Sequence, residues 1–577
     1  MINYLKKLRR QDFIAFFVLI AIAIIFLRCF NLQYMESNKY STKIEKREIK
    51  THAIKAFRGT IYDRNDVILA ESILVDTLGT TNTKEFFSNK DKDIKKLCKI
   101  LNKKYKNLVK DLSNKENKKF TYIERHLLPD VVEKISSLNL KGIGFQKEFK
   151  RFYPEGEVIA NLIGMTDSLH NGEMGLEKSF NKILKEKDGE KIFRVDERGR
   201  TVANIGIVSP PKEGKKLVLT IDIRLQYVAY RELRKQIERV NAKSGAVVIL
   251  DSTNGDILAS ASYPSYDPSD KNSYTPEKER NKVIIDSLEP ASTIKPFLLT
   301  AALHSEKVNL KNTFNTNPGW IKFGAKKYSD TKNNGILTAA EVVVKSSNVG
   351  SILISQKFDK KIYHDLLEYV GIGDMVNINF PGEIEGKLDH HSEWGNSAIR
   401  SHSIGYAFKV TPLQLAKAYS VIANEGVVIN PRIIKSSIIQ KNKIQKYKNS
   451  FIEVKNVIRK VVENGSGKNA AIKGYSVGGK TGTAELYMGG KKKKYNKDEH
   501  VSLFAGITPI TKPKLVIVVV INEPKTKPKG FFGGYVAAPV FSKIAADSLR
   551  ILNVSPDNIL DYQKTVSIKT PEVQDVF

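Results

Sequence analysis

The chain has 577 residues, 41% hydrophobic and 9% aromatic, and at roughly 100–200 residues per domain it should hold two or three domains. Two cysteines exclude a disulfide scaffold and a zinc-finger array. The anomaly is charge: 94 Lys+Arg against 62 Asp+Glu give +32, which fits a nucleic-acid binder, a membrane-surface protein, an enzyme with an anionic substrate, or a lysine-rich composition without functional meaning.

Phe13 to Leu27 are fifteen consecutive apolar residues, interrupted by Arg28 and extended by Cys29, Phe30 and Leu32. A membrane span needs about 20 residues, and a snorkelling Arg28 brings this run to about 18–20. A secretory signal ends in small residues near its cleavage site, whereas Arg28-Cys29-Phe30-Asn31-Leu32-Gln33-Tyr34 is mostly bulky. The run therefore reads as an uncleaved signal-anchor rather than a cleaved peptide or a buried core helix. Lys6, Lys7, Arg9 and Arg10 precede it, so the positive-inside rule expects a cytoplasmic N-terminus and places everything after about residue 33 outside the inner membrane. That topology sets the nucleic-acid reading aside. No second run of comparable length follows; Leu515 to Ile521 is short and reads as a buried strand. Cys29 in the anchor and Cys98 outside it cannot pair, and Cys98, in the helical-looking Ile94 to Leu101, reads as a small core residue.

From about 36 to 215 the chain is lysine-rich and mixed, with a helical pattern over Lys90 to Lys110 and glycine turns at 142–144 and 172–175. Ser209-Pro210-Pro211-Lys212-Glu213-Gly214 is a breaker cluster that reads as a linker. A strand over Leu217 to Ile221 and an amphipathic helix over Arg224 to Val240 follow. Ala246 to Leu250 and Ile257 to Ser262 read as strands joined by a turn containing Asn254-Gly255. A mostly helical middle runs from about 292 to 465. Tyr475 to Leu486, Val501 to Ile507 and Leu515 to Asn522 read as strands, and Ala538 to Leu552 as a final helix. This order suggests a sheet covered by helices. The tail after Pro556 reads as poorly ordered.

Three short motifs carry chemistry. Ser292-Thr293-Ile294-Lys295 opens an apolar helical stretch, so Ser292 and Lys295 fall three apart on one face. A serine hydroxyl is a weak nucleophile until a base takes its proton, and a partly desolvated lysine is a suitable base. Alone, this pattern is common in lysine-rich chains. Ser346-Ser347-Asn348 places a hydroxyl and an amide two residues apart, able to face one cleft; alone it reads equally as a polar turn or helix cap. Lys480-Thr481-Gly482-Thr483 sets a lysine among small residues on an expected strand, where Gly482 leaves room for a substrate backbone to pair with the sheet edge. Gly474 to Thr481 also matches the phosphate-binding loop letter for letter. That loop follows a buried strand and opens a helix, whereas Ala470 to Lys473 is a poor strand and the residues after Thr481 read as extended. The order of the three motifs, with flanks of the right type, favours one active site.

The chain at this point resembles a class B penicillin-binding protein over nearly its whole length. The pedestal signatures stand as Arg58-Gly59-Thr60-Ile61-Tyr62-Asp63-Arg64-Asn65, Arg151-Phe152-Tyr153-Pro154 and Gly175-Leu176-Glu177-Lys178-Ser179-Phe180. The catalytic domain adds Ala261-Ser262-Tyr263-Pro264-Ser265-Tyr266-Asp267-Pro268 and Gly405 to Gln414. Phe532-Gly533-Gly534-Tyr535-Val536-Ala537-Ala538-Pro539 resembles the division-specific branch. A departure is Ala291, where the family usually carries glycine; it should alter backbone freedom rather than chemistry.

The resemblance implies a cytoplasmic tail over 1–12, a transmembrane signal-anchor over 13–32, an α+β pedestal of the dimerisation type over 33–215, an α/β penicillin-binding transpeptidase domain with a five-stranded, mainly antiparallel sheet covered by helices over 216–556, and a tail over 557–577. No glycosyltransferase domain lies between anchor and pedestal, which excludes a bifunctional class A protein. The implied activity is a serine-type D-Ala-D-Ala transpeptidase that cross-links septal peptidoglycan and is a target of β-lactams, single-pass in the cell inner membrane with a periplasmic catalytic domain. An elongation-specific relative, or a carboxypeptidase or β-lactam hydrolase on the same fold, is the alternative. By the resemblance Ser292 is the nucleophile and Lys295 its base. Ser346 relays a proton with help from Lys480, and Asn348 holds the substrate amide. Lys480, Thr481 and Thr483 bind the terminal carboxylate, and the N–H groups of Ser292 and Thr483 form the oxyanion hole. No cofactor or metal is needed; His390 and His391 are adjacent rather than at zinc-ligand spacing and read as a solvated loop. Implied partners are stem peptides and the lipid-linked precursor, a polytopic glycosyltransferase and divisome proteins. Lys491 to Lys494 form a basic run beside the expected cleft, a solvated hairpin or an electrostatic guide for anionic precursor.

Overall fold

The computed structural model describes residues 10–37, 39, 49–80, 82–113, 120–196, 201–436, 439, 445–488, 494–525 and 530–558. Lys6, Lys7 and Arg9, the run Lys491 to Lys493 with the side chain of Lys494, and nearly all of the expected tail lie outside the described residues. The chain divides into two compact units, residues 1–58 with 185–214 and residues 59–184 with 215–577.

The first unit contains the apolar helix Arg10–Phe30, which continues as one wider turn over Asn31–Met35. Phe13–Met35 has a mean hydropathy of 2.9 and is the one helix among the described residues long and apolar enough to cross a membrane. At 1.5 Å per residue its 23 residues exceed the roughly 30 Å hydrocarbon core, so the short apolar run is sufficient once Arg28 and the following turn are counted. A three-stranded antiparallel sheet, Ile49–Ile54 beside Gly189–Val195 beside Thr201–Ser209, completes the unit.

In the second unit, residues 59–184 pair strand Ile68–Thr80 with Thr121–Leu127 on one side and Ile143–Phe152 on the other, all antiparallel. Helices Asp91–Ile100 and Tyr105–Ser113 cover this sheet, with Ile94, Leu97, Cys98, Leu108 and Leu112 buried. Cys98 is a core residue, as expected, and burial pushes its thiol pKa up. The separate signatures of the pedestal meet in space. Arg151 donates to Glu177 Oε1 at 2.7 Å and to the Gly59 carbonyl at 2.8 Å, and both charged side chains are buried. Asp63 accepts from the N–H groups of Asn65 and Val67 and from that of Ile223.

The catalytic part contains α1 (Ile223–Arg239), β1 (Ser244–Asp251), β2 (Ile257–Tyr263), α2 (Lys295–His304), α3 (Ala339–Lys345), α4 (Asn348–Ser355), α5 (Lys360–Tyr369), α6 (Pro412–Ala423), α7 (Lys448–Asn464), β3 (Gly478–Met488), β4 (Lys494–Thr508), β5 (Leu515–Asn522) and α8 (Ala538–Ile551). The five strands form one antiparallel sheet in the order β2-β1-β5-β4-β3. Successive strand residues face opposite sides. Val516, Val518 and Val520 join the core built around α2, α6 and α7, while Ile517, Val519 and Ile521 join the core built around α1 and α8. Both faces of β5 are covered, so its sequence is continuously apolar rather than alternating. The expected strands and helices of this part exist, with ends shifted by up to seven residues and the Leu217 strand reduced to Leu217–Val218; the middle, expected to be mostly helical, also carries four short strands between Thr313 and Thr338.

Candidate active site

The nucleophile candidate sits at a transition between helix types. Ala291–Ile294 form a 3-10 turn and α2 begins at Lys295. Side chains three apart eclipse in a 3-10 turn, so Ser292 and Lys295 share a face more closely than on an α-helix. Pro296 lies in the first turn of α2, where its missing N–H leaves no helix bond unmade. Ala291 adopts φ 46°, the left-handed region in which an L-residue costs roughly 1–2 kcal/mol and glycine almost nothing. Its N–H donates to the Gly405 carbonyl at 3.0 Å, and a Cβ on Gly405 would stand 1.9 Å from the Ala291 oxygen. The expected change in backbone freedom is therefore real: the fold imposes a glycine-like conformation on an alanine.

Lys295 is fully buried, and its amine donates to the Ser346 carbonyl and to Asn348 Oδ1, each at 2.8 Å. Two acceptors match the two N–H bonds of a neutral amine and leave its lone pair free. Burial lowers the pKa to about 7, against a smaller opposing pull from the Asp330 carboxylate. Lys480 is also fully buried; its amine donates to Ser346 Oγ at 2.8 Å, to the Thr481 carbonyl at 3.1 Å and to Thr481 Oγ1 at 3.3 Å. Burial, then the neighbouring Lys295, pulls the Lys480 pKa well down.

The structure thus joins Lys295, Ser346, Asn348, Lys480 and Thr481 in one hydrogen-bonded cluster. Ser292, one turn before Lys295, is half-buried and makes no side-chain hydrogen bond among the described residues. Such contacts commonly tighten only when substrate binds. Ser346 ends α3 at φ 61°, ψ 35°, and Ser347 caps α4, its Oγ accepting from the Gly350 N–H at 2.9 Å. This break between two helices presents the backbone and side chain of Ser346 to different lysines. A left-handed serine persists only where surrounding contacts over-determine it.

The Lys480 motif lies on β3, the terminal strand of the sheet, and continues as strand rather than opening a helix. The phosphate-loop alternative fails on that geometry. The space beside Gly482 is used by the chain itself. A Cβ there would stand 2.9 Å from Thr293 Cγ2 and 3.1 Å from the Pro290 carbonyl, so glycine lets β3 approach the turn that carries Ser292. Gly533 presses on the same residue, since its Cβ would lie 2.4 Å from the Gly482 oxygen. The Gly533 N–H donates to Thr483 Oγ1 at 3.1 Å, which gives the glycine pair of the C-terminal signature a local role. A cleft of about 510 Å³ borders β3 at Ala484 and Glu485 and reaches Glu289, three residues before Ser292.

Two supporting residues carry no signal in the sequence. Asp330 accepts from Ser347 Oγ at 2.6 Å, from the Asn348 N–H at 2.6 Å and from the Val349 N–H at 3.0 Å. It holds the start of α4, and with it Asn348, from a loop that reads as an ordinary polar turn. Ser466 shares a 2.8 Å hydrogen bond with Thr481 Oγ1; only the flanking Gly465 and Gly467 mark it as a special turn.

Comparison with known proteins agrees with this architecture. Residues 245–546 match the family described as the penicillin binding protein transpeptidase domain, and residues 53–219 match the penicillin-binding protein dimerisation domain. The probable peptidoglycan D,D-transpeptidase PbpC of Pseudomonas aeruginosa is 36% identical over 518 residues, covering 89% of this chain and 90% of the relative. The peptidoglycan D,D-transpeptidase FtsI of Escherichia coli is 32% identical over 551 residues, covering 94% and 91%. Among solved structures, the transpeptidase domain of penicillin-binding protein 3 from Burkholderia pseudomallei superposes with a TM-score of 0.53 at 32% identity, covering 59% of this chain and 97% of that one. Penicillin binding protein 3 of Mycobacterium tuberculosis, complexed with aztreonam, gives a TM-score of 0.66 at 24% identity, covering 88% and 98%.

Proposed function

Because the chain belongs to the class B penicillin-binding proteins, with a dimerisation domain and a transpeptidase domain, we propose that Ser292 is the nucleophile with which it cross-links peptidoglycan stem peptides during septal wall synthesis. The protein is a serine D-Ala-D-Ala transpeptidase. The observation that carries the assignment of residues is the buried Lys295 amine, lowered to about 7 and hydrogen-bonded through two N–H bonds only, one turn after Ser292.

In this reading the Lys295 lone pair takes the Ser292 proton as Oγ attacks the carbonyl of the penultimate D-alanine. Charge develops on the carbonyl oxygen, which the N–H groups of Ser292 and Thr483 receive. The bond to the terminal D-alanine breaks, and that amine takes a proton relayed through Ser346, whose hydroxyl Lys480 holds at 2.8 Å. Asn348 is oriented by Lys295 and Asp330 to meet the substrate amide. The carboxylate of the terminal D-alanine meets Lys480, Thr481 and Thr483; an anion there favours the ammonium form of Lys480 that burial alone opposes. The substrate backbone lies along the outer edge of β3. The amine of a second stem peptide then takes the acyl group from Ser292, which regains its proton.

Membrane attachment is through the single apolar helix. The basic residues before it support a cytoplasmic N-terminus and a periplasmic catalytic domain. The family resemblance supports a polytopic glycosyltransferase and divisome proteins as partners. Labelling with a fluorescent penicillin tests the site. The wild type should carry one label per chain and Ser292→Ala none; a labelled Ser292→Ala protein would overturn the assignment. Depletion should give filamentous cells, and rounded cells would move the protein to elongation.

A further inference from the structure

Four of the nine histidines in the chain gather outside the three catalytic motifs, around α5 and the turn over residues 389–394. His364 lies on α5 with its side chain 2% exposed. Its ring centroid is 5.1 Å from that of His390, 5.3 Å from that of His391 and 5.4 Å from that of Trp394. Trp394 stacks on His402 at 4.1 Å. The solvated loop expected for His390 and His391 holds at His390, which is exposed; His391 is half-buried, and both rings pack on the buried His364.

One atom in this cluster is unexplained. His364 Nδ1 is buried without a hydrogen-bond partner. It points at two carboxylates, with Glu368 Oε2 at 3.5 Å and Asp365 Oδ1 at 3.8 Å. One donor atom from each of His364, Asp365 and Glu368 lies within 4.8 Å of the others. Ligands bound at about 2.0–2.2 Å around a tetrahedral centre stand roughly 3.3–3.6 Å apart, so two of the three separations need little adjustment.

We propose that His364, Asp365 and Glu368 form a zinc site on α5, beside the turn carrying His390 and His391. The residues fit the metal in kind and in spacing. His364 and Glu368 are four apart on one helix face, so the backbone already presents both. A neutral imidazole is the ligand form, and the buried Nδ1 of His364, without a hydrogen-bond partner, is open to supply its lone pair. With two carboxylates the donor set carries two negative charges, which a divalent ion neutralises. An imidazole nitrogen selects zinc over calcium or magnesium, which prefer oxygen. His391, its ring centroid 5.3 Å from that of His364, is the neighbouring side chain available as a fourth ligand. Asp365 is held by Lys361 at 2.7 Å, an exposed pair of little net strength that a cation displaces. The site lies outside the proposed catalytic machinery and does not depend on it.

The test uses the full-length chain in detergent, without a histidine tag, stripped with a chelator and titrated with Zn²⁺. Elemental analysis after desalting should find one zinc per chain, and the unfolding temperature should rise with zinc concentration. Glu368→Gln and Asp365→Asn change exposed or half-buried positions and leave the core intact. Each should weaken zinc binding at least about tenfold, by analogy with loss of a metal-site partner, while penicillin labelling of Ser292 is unchanged. Absence of bound zinc in the wild type, or undiminished binding in both variants, would overturn the proposal.

Discussion

Lys480 Nζ donates to the hydroxyl of Ser346 at 2.8 Å, across 134 residues of sequence. Lys295 Nζ takes the carbonyl of the same serine at 2.8 Å. Two buried amines thus meet on one residue, and they cannot both carry a proton cheaply. The division of labour follows from their acceptors, two neutral oxygens for Lys295 and three for Lys480.

The acylation rate of Ser292 should rise with pH as Lys295 loses its proton, with a midpoint near the value of about 7 set by its burial. Stopped-flow penicillin acylation from pH 5 to 9 measures this. Lys295→Arg should lose more than about 100-fold, because a guanidinium does not deprotonate.

The same amine links stability to pH. In the unfolded chain a lysine keeps its proton to about 10.4, whereas folded Lys295 releases it near 7. Between those values the unfolded state binds more protons, so stability rises with pH, and below about 7 the full penalty applies. Lys295→Met should therefore be inactive yet more heat-stable at pH 6 than the wild type, with the difference shrinking towards pH 10. Thermal unfolding at several pH values checks it.

Asp330→Asn should act twice. Losing charged acceptors for Ser347, Asn348 and Val349 should lower stability by about 1–3 kcal/mol. The Asp330 charge raises the Lys295 pKa, so its removal should move the acylation midpoint to lower pH. A midpoint unmoved or shifted to higher pH would contradict this coupling.

Gly482→Ala places a methyl 2.9 Å from Thr293 Cγ2 and 3.1 Å from the Pro290 carbonyl. The Ser292 turn and the strand must part by a few tenths of an ångström, less than the displacement of about 1 Å that costs on the order of 100-fold in rate. Penicillin acylation should fall by roughly tenfold while unfolding temperature changes little.

Ala291→Gly should leave chemistry intact and relieve a left-handed alanine at φ 46°. Part of the roughly 1–2 kcal/mol conformational cost is recovered, offset by the greater freedom of glycine in the unfolded chain. Differential scanning calorimetry should show an equal or higher unfolding temperature, with labelling kinetics within about threefold of the wild type.

Local sequence is enough for the apolar helix, for most strands and helices of the catalytic part, and for picking out the three motifs. These follow from local rules: periodicity, breakers and residue type act over a few neighbours, as in the unbroken apolar run of β5. The three motifs were legible because their order and flanks are unusual together. What each residue touches emerges only from the packed fold. Asp330 and Ser466 were invisible because an aspartate or a serine in a polar turn looks the same whether or not it holds an active-site residue. The meaning of Gly482 also changed, since its need for a bare backbone comes from Pro290 and Thr293, which are remote in sequence. The lowered pKa of Lys295 belongs to the same class. Burial sets it, and burial is a property of the packed chain rather than of any window of sequence.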